Sequence, residues 1–352
     1  VALPGPVIVL GTGAIGSYLG GCLQAAGVEV HFVGRAVVCA ELRAMGLRLS
    51  DLDGRDTRLA PDALHLHESM AGAAAAWAGA AARAAPLVLL CVKSAATATA
   101  AREAAAALPA GTLMLSCQNG IDNAAIAQRE APGLRVRAGV VAFNVAHLAA
   151  GHWHRGTSGE LAVQGDAAWA GWQAAFAAAG LPLRVHADLR AVQWGKLLLN
   201  LNNPVNALSG QPLKAQLLDR GHRRVLAALQ AEALQAMRAA GIAPARLAPL
   251  PPAWVPVLLR LPTPLFRRLA ARMLRIDERA RSSMADDLVA GRTTEVDALC
   301  GAVVRLAEAH GLAAPHNARM GALIEAAVRA RADTGVAPGG LGGAALCQRM
   351  GL

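Results

Sequence analysis

Aromatic side chains are scarce: 352 residues hold four Phe, one Tyr and six Trp. A chain so poor in rings, with no basic block interleaved with Tyr or Phe, lacks the stacking surface of a single-strand nucleic-acid binder. The formal charge of +10 therefore does not read as a nucleic-acid footprint. Arginine is scattered through helical stretches, and the densest basic run, Arg260 to Arg281, reads as a solvated helix face. Long apolar runs are missing too. Although 55% of residues are hydrophobic, stretches such as Met70 to Ala82 and Leu247 to Leu259 carry Ala, Pro or Gly. Both fall short of the roughly 20 apolar residues that a membrane helix needs. Val7 to Leu10 runs straight into a glycine loop, without the pattern of a secretory signal. The expectation is a cytoplasmic protein with no membrane association. Cysteine offers no framework: Cys22, Cys39, Cys91, Cys117, Cys300 and Cys347 are widely spaced without a CxxC pair. That argues against zinc and against a disulfide scaffold, and leaves buried free thiols as the expectation.

What is present points to two domains, since a chain of this length exceeds one ordinary core. Val7 to Leu10, Val28 to Val33, Leu87 to Val92 and Thr112 to Cys117 read as short buried strands alternating with Ala-rich helices. That alternation predicts a parallel sheet covered on both faces. Val136 to Val145 and Glu160 to Val163 read as strands completing the domain, with Gly151 to Gly159 as a turn between them. From about Asp188 strand-like runs give way to helical segments punctuated by Gly210-Gln211-Pro212, Gly241 and the proline-rich Leu247 to Pro264. The predicted architecture is α/β, a Rossmann-type dinucleotide-binding domain over 1–187 followed by an all-α domain over 188–352. The Gly- and Ala-rich tail from Gly335 reads as poorly ordered.

Gly11-Thr12-Gly13-Ala14-Ile15-Gly16 stands directly after a strand and opens a helix, the context in which GxGxxG binds a dinucleotide. Gly11 permits the tight turn, Gly13 removes a side chain where backbone must approach a pyrophosphate, and Gly16 lets helix and strand pack closely. Free N–H groups and the positive dipole end at the helix start suit phosphate. The second strand ends in His31-Phe32-Val33-Gly34-Arg35, with no carboxylate to bind ribose hydroxyls. Arg35 in that place favours a 2′-phosphate and hence NADPH over NADH. Lys93 follows the strand Leu87 to Val92 at the same sheet edge and is a second candidate phosphate contact.

Hydride delivered by a nicotinamide dinucleotide to a carbonyl leaves an alkoxide, so a proton donor with polar partners around it is looked for. In Trp194 to Pro204, the residues Lys196, Asn200 and Asn203 fall at i, i+4 and i+7 in a Leu-rich helical stretch. One cation and two amides are thereby expected on one stripe. Pro204, lacking an N–H, is expected to kink that helix and free the Asn200 carbonyl. A second polar cluster runs from Arg281 to Asp287 and from Thr293 to Asp297. There Ser283 and Asp287 share a face at i, i+4 and Glu295 opens a new helix, while Asp297 reads as a solvated first-turn acid.

GTGAIGSYLGG at the start, Cys117-Gln118-Asn119-Gly120 after a strand, WGKLLLN in mid-chain and SSM…D…GRTTEVD near the end resemble the ketopantoate reductase (2-dehydropantoate 2-reductase) family in order and spacing. The resemblance covers about Val7 to Val328. It implies NADPH and ketopantoate bound in a cleft between the domains. It further implies that Lys196 is the general acid and that Glu295 assists it or holds the substrate hydroxyl. By the same resemblance, Asn119 lies close to nicotinamide and substrate, Asn200 and Ser283 contact substrate, and Arg35 and Lys93 bind phosphate. Asn203 is carried over more weakly, because its register relative to Lys196 varies in the family. The stretch Ala243 to Ile276 is longer than in the shortest members and is expected to cap the cleft or form a dimer contact. Two alternatives stay open: a reductase of another 2-keto acid using the same site, and a nucleotide-sensing regulator. Helix faces suited to a homodimer exist, and nothing ranks them.

Overall fold

The computed structural model describes residues 5–78, 84–271, 274, 277–278, 280–336 and 340–352. It divides into two compact units, Val1–Leu189 and Arg190–Leu352.

In the first unit, β1 (Val7–Leu10) leads to α1 (Ala14–Ala25), β2 (Val30–Val33), α2 (Ala36–Met45), β3 (Leu47–Asp51), β4 (Asp56–Leu59) and β5 (His65–His67). Then follow α3 (Met70–Ala78), β6 (Leu87–Leu90), α4 (Thr97–Ala107), β7 (Leu113–Ser116), α5 (Asn123–Glu130) and β8 (Arg135–Val141). The unit closes with β9 (Val145–Ala149), β10 (His152–Arg155), β11 (Leu161–Gln164), α6 (Trp169–Ala178) and β12 (Leu183–His186). Eight strands form one sheet in the order β12-β11-β8-β7-β6-β1-β2-β5, parallel throughout except where β11 runs against β8. Successive side chains on a strand point to opposite faces. Val7 and Val9 accordingly join a core with Leu19, Leu23, Trp169 and Phe176 on one side, and Ile8 and Leu10 join Ala73, Ala101 and Ala127 on the other. Strands buried on both faces read as continuous apolar runs, which is why these were visible in the sequence.

A four-stranded sheet of order β4-β3-β10-β9 also belongs to this unit, and the sequence reading missed it. The expected turn Gly151 to Gly159 contains β10, paired in parallel with β3. The expected strand Val136 to Val145 is split, β8 ending at Val141 and β9 beginning at Val145. The missed strands have one wet face: Leu47, Leu49 and Trp153 are buried while Arg48, Ser50, His152 and His154 face outward. Alternation over four or five residues is a weak signal against an Ala-rich background.

The second unit is helical among its described residues: α7 (Arg190–Asn200), α8 (Asn202–Ser209), α9 (Leu213–Leu218), α10 (Arg220–Ala239), α11 (Val255–Arg260), α12 (Thr263–Leu269), α13 (Ser283–Val289), α14 (Ala302–Ala309), α15 (Pro315–Thr334) and α16 (Gly343–Met350). The central α10 is capped by Asp219, whose carboxylate accepts from Gly221 N and His222 N and also from Gly343 N, at the start of α16. The buried Arg223 guanidinium on α10 donates to the carbonyls of Leu217, Leu218, Leu259 and Leu261 and stacks on Phe266. The stretch expected to act as a cap is thus pinned to α10 by one side chain. Arg260, Arg267 and Arg268 are exposed, in keeping with a solvated basic face, while Arg272, Arg275 and Arg279 lie outside the described residues. Residues 337–339 of the tail also lie outside them, and α16 occupies most of the remainder. No helix among the described residues is long and apolar enough to cross a membrane. The six cysteines are free, five of them buried.

Candidate functional site

At the first unit's sheet, the chain leaves β1 towards β2 on one side and returns through β6 on the other, so the carboxyl end of β1 is a topological switch point. The glycine loop lies there. Gly11 has φ +112°, and a Cβ on it would stand 2.6 Å from Val92 N. A Cβ on Gly16 would collide with the Gly11 carbonyl and come within 2.9 Å of Val9 Cγ1. Both glycines are therefore demanded by the protein's own packing. Gly13 differs: its φ is ordinary at −78° and a Cβ on it would meet nothing within 4 Å. Neither backbone strain nor crowding demands a glycine at the N-cap of α1, and the open space beside it would let an anionic ligand approach the helix N-terminus. Thr12 is buried and accepts from Ser17 Oγ at its carbonyl, and Ala14 and Ile15 form the half-buried first turn of the helix. The residues fit a dinucleotide pyrophosphate.

Arg35 is exposed and caps α2 at the end of β2. Residues 34–40 contain no carboxylate. The first acid beyond them, Glu41, is engaged by His147 Nε2 at 3.0 Å and Gly151 N at 2.8 Å. Lys93 is exposed at the end of β6, and Asn119 is half-buried in the turn after β7. The glycine loop, Arg35, Lys93 and Asn119 thus occupy the carboxyl ends of four neighbouring strands, β2, β1, β6 and β7.

Sequence reasoning missed the polar network beneath Asn119. Gln118 Nε2 donates to Val92 O (2.9 Å) and Thr97 Oγ1 (2.7 Å), and Thr97 Oγ1 donates to Asn123 Oδ1 (3.0 Å). Asn123 Nδ2 donates to Ser94 Oγ and to the Asn119 carbonyl. Buried amides satisfied in this way fix the turn that presents Asn119. Only the presence of Gln118 beside Asn119 hinted at them.

In the second unit Lys196 and Asn200 lie on α7, both half-buried. The Gly of WGK has a local cause: a Cβ on Gly195 would stand 2.5 Å from the Ala245 carbonyl, and Ala245 N donates to Ala191 O. Burial lowers the Lys196 ammonium to about 8, with no neighbouring charge contributing. The expected single stripe is corrected. The helix is interrupted at Leu201, ahead of Pro204, and Asn203 sits on the following α8, so the i+7 relation is not one of a single unbroken helix. Pro204 has no N–H with which to continue the ladder.

Ser283, the first residue of α13, is exposed, whereas Asp287 is buried and pairs with Arg292 at 3.0 Å. The two do not share an environment despite their i, i+4 spacing. The buried serine is Ser282, which caps α13 by accepting from Ala285 N. Glu295 is half-buried and immediately precedes a helical stretch that passes through a π turn at Asp297–Gly301. Asp297 is exposed and pairs with Arg305 at 2.9 Å, a surface ion pair. Among the described residues no group of three or more His, Cys, Asp or Glu is placed to hold a metal.

Comparison with known proteins agrees over both units. A family described as Ketopantoate reductase PanE/ApbA matches residues 7–166, and its C-terminal family matches residues 188–328. A 2-dehydropantoate 2-reductase of Halobacterium salinarum is 30% identical over 316 residues, 88% of this chain and 94% of the relative. One of Caulobacter vibrioides is 29% identical over 60% of this chain and 66% of its own length. A PanE/ApbA family ketopantoate reductase structure from Ralstonia eutropha superposes with a TM-score of 0.76 at 30% identity, covering 93% of this chain and 99% of that one. A D-mandelate dehydrogenase with NADH and anilino(oxo)acetate shares the fold, at TM-score 0.70 and 18% identity over 92% of this chain and 99% of that one.

Proposed function

The chain belongs to the ketopantoate reductase family of oxidoreductases, and on that premise we propose that it reduces 2-dehydropantoate to pantoate with NADPH, Lys196 acting as general acid. The observation that carries the mechanism is a half-buried lysine whose ammonium burial lowers to about 8. Such a group is still protonated at neutral pH yet gives up its proton far more readily than a solvated lysine.

Gly11, Gly13 and Gly16 with the first turn of α1 would hold the pyrophosphate, and Arg35 and Lys93 the 2′-phosphate side. When bound, NADPH supplies the hydride for C2. Asn119 orients the carboxamide end of the dinucleotide and the keto group. Lys196 then donates a proton to the C2 oxygen as negative charge develops there, and its amine is reprotonated from solvent. Glu295 holds the substrate hydroxyl or steadies the lysine. Asn200, Asn203 and Ser283 bind the rest of the substrate, Ser283 through the carboxylate. The absence of a free acid after β2 and the presence of Arg35 support NADPH over NADH.

The test is oxidation of NADPH by purified protein with ketopantoate and a panel of other 2-keto acids, NADH run in parallel. Turnover confined to ketopantoate with NADPH is the expected result. Turnover of a different 2-keto acid would reassign the substrate, and dinucleotide binding without turnover of any would sink the enzymatic reading.

A further inference from the structure

α8 and α13 are joined by a buried polar knot that no expectation above assigned. Asn206, wholly buried on α8, donates through Nδ2 to the Gln211 carbonyl at 2.9 Å and accepts at Oδ1 from Ser282 N at 2.9 Å. Ser282 Oγ donates to the Asn203 carbonyl at 3.2 Å, bridging 79 positions of sequence, while accepting from Ala285 N. Ser209 Oγ donates to the Asn206 carbonyl at 2.8 Å and accepts from Gln211 N. Leu213 N donates to the Ala280 carbonyl at 2.8 Å, closing the knot from the other side.

Packing alone does not call for these groups. A helix pair can be held by apolar side chains at equal or better stability, and a buried carboxamide costs free energy unless both of its ends are bonded. What a doubly bonded amide adds is a fixed orientation. Here it is fixed between the two segments that carry Asn203 and Ser283: Ser282 N and Oγ, both tied to α8, belong to the residue just before Ser283.

We infer that Asn206 is a positioning residue for substrate binding, locking the first turn of α13 to α8 so that the Ser283 hydroxyl stands in fixed register with Asn203. The inference rests on the functional reading above and deepens it. Asn206 itself touches no substrate. It acts on binding of the keto acid and leaves the dinucleotide and the proton transfer alone.

The test is steady-state kinetics with ketopantoate and NADPH on Asn206→Leu, Asn206→Asp, Ser283→Ala and the Asn206→Leu/Ser283→Ala double variant, each with a thermal melt. Asn206→Leu is expected to raise KM for the keto acid about tenfold, the effect of one hydrogen bond, with kcat and KM for NADPH unchanged. Asn206→Asp keeps the acceptor for Ser282 N but sets a carboxylate oxygen against the Gln211 carbonyl, and should recover only part of that loss. The double variant should be no worse than Ser283→Ala alone, because the two act through one contact. Additive losses, or a lowered melt with KM unchanged, would overturn the inference and leave a purely structural knot. Should Asn206→Leu fail to fold, Ser282→Ala, which removes the bond to the Asn203 carbonyl together with the α13 cap to Ala285 N, takes its place with about a threefold rise expected and an unchanged KM overturning the proposal. A wild-type protein that reduces no 2-keto acid would instead overturn the functional reading, and this inference with it.

Discussion

The two units build their functional faces from different material. In the first, the glycine loop that centres the candidate site is built of backbone: a turn at Gly11 with φ +112°, and a helix that Gly16 allows onto β1, with the side chains of Arg35, Lys93 and Asn119 set around it. The candidates in the second are side chains, Lys196, Asn200, Asn203, Ser283 and Glu295, borne on several segments and supported by groups distant in sequence, such as Gln230, which donates to the Leu198 carbonyl on α7. A backbone site is specified by the few residues that compose it. A side-chain site is only as good as the scaffold that aims it, so its determinants are spread along the chain.

If that contrast is right, perturbations in the second unit should separate chemistry from cofactor affinity, and the largest effect tests this most directly. Lys196→Ala is expected to lower kcat by about 1,000-fold while fluorescence titration finds NADPH affinity unchanged. A parallel fall in affinity would break the comparison. Next in size, Arg223→Ala strips a donor from four buried or half-buried carbonyls and should cost about 3 kcal/mol in chemical denaturation of the second unit, with the first unit's transition unmoved. In the first unit, Gly13→Ala should weaken NADPH binding by about tenfold with little shift of the melting temperature, since a Cβ there meets nothing within 4 Å. Gly16→Ala should impair binding and melting together. Arg35→Ala should raise KM for NADPH about tenfold and leave KM for NADH in place. The smallest effect is one of pH. Burial depresses the lysine, so the protonated acid is in place below about 8 and is lost as pH rises through that value. A rate limited by this proton should fall about twofold between pH 7 and 8, about fivefold between 8 and 9 and about tenfold per unit above that, and Lys196→Arg should abolish that profile.

Much of the first unit was legible because β1, β2, β6 and β7 are buried on both faces and announce themselves as apolar runs. The glycine loop was legible for a related reason: its constraints are steric and local. The four-stranded sheet was not, because Arg48, Ser50, His152 and His154 break the apolar pattern and its pairing joins β3 to β10 across about a hundred positions. In the second unit the residue types at WGKLLLN were readable, but their arrangement was not. Helix spacing put Asn203 on a stripe with Lys196, whereas the chain interrupts the helix at Leu201 and places Asn203 on α8. Nor did local pattern distinguish Ser282 from Ser283, although the fold buries Ser282 against the Asn206 amide and the Asn203 carbonyl and leaves Ser283 exposed.

The Arg223 clamp has a consequence for the order in which the second unit assembles. Its guanidinium gathers carbonyls from two stretches, Leu217–Leu218 and Leu259–Leu261, that are some forty residues apart and both lie against α10. One cation thus serves carbonyls of both stretches at once, so the segment after α10 is expected to open and close as a unit with the clamp. A circular permutant opened between residues 241 and 250 should therefore dock its new terminus as one cooperative block.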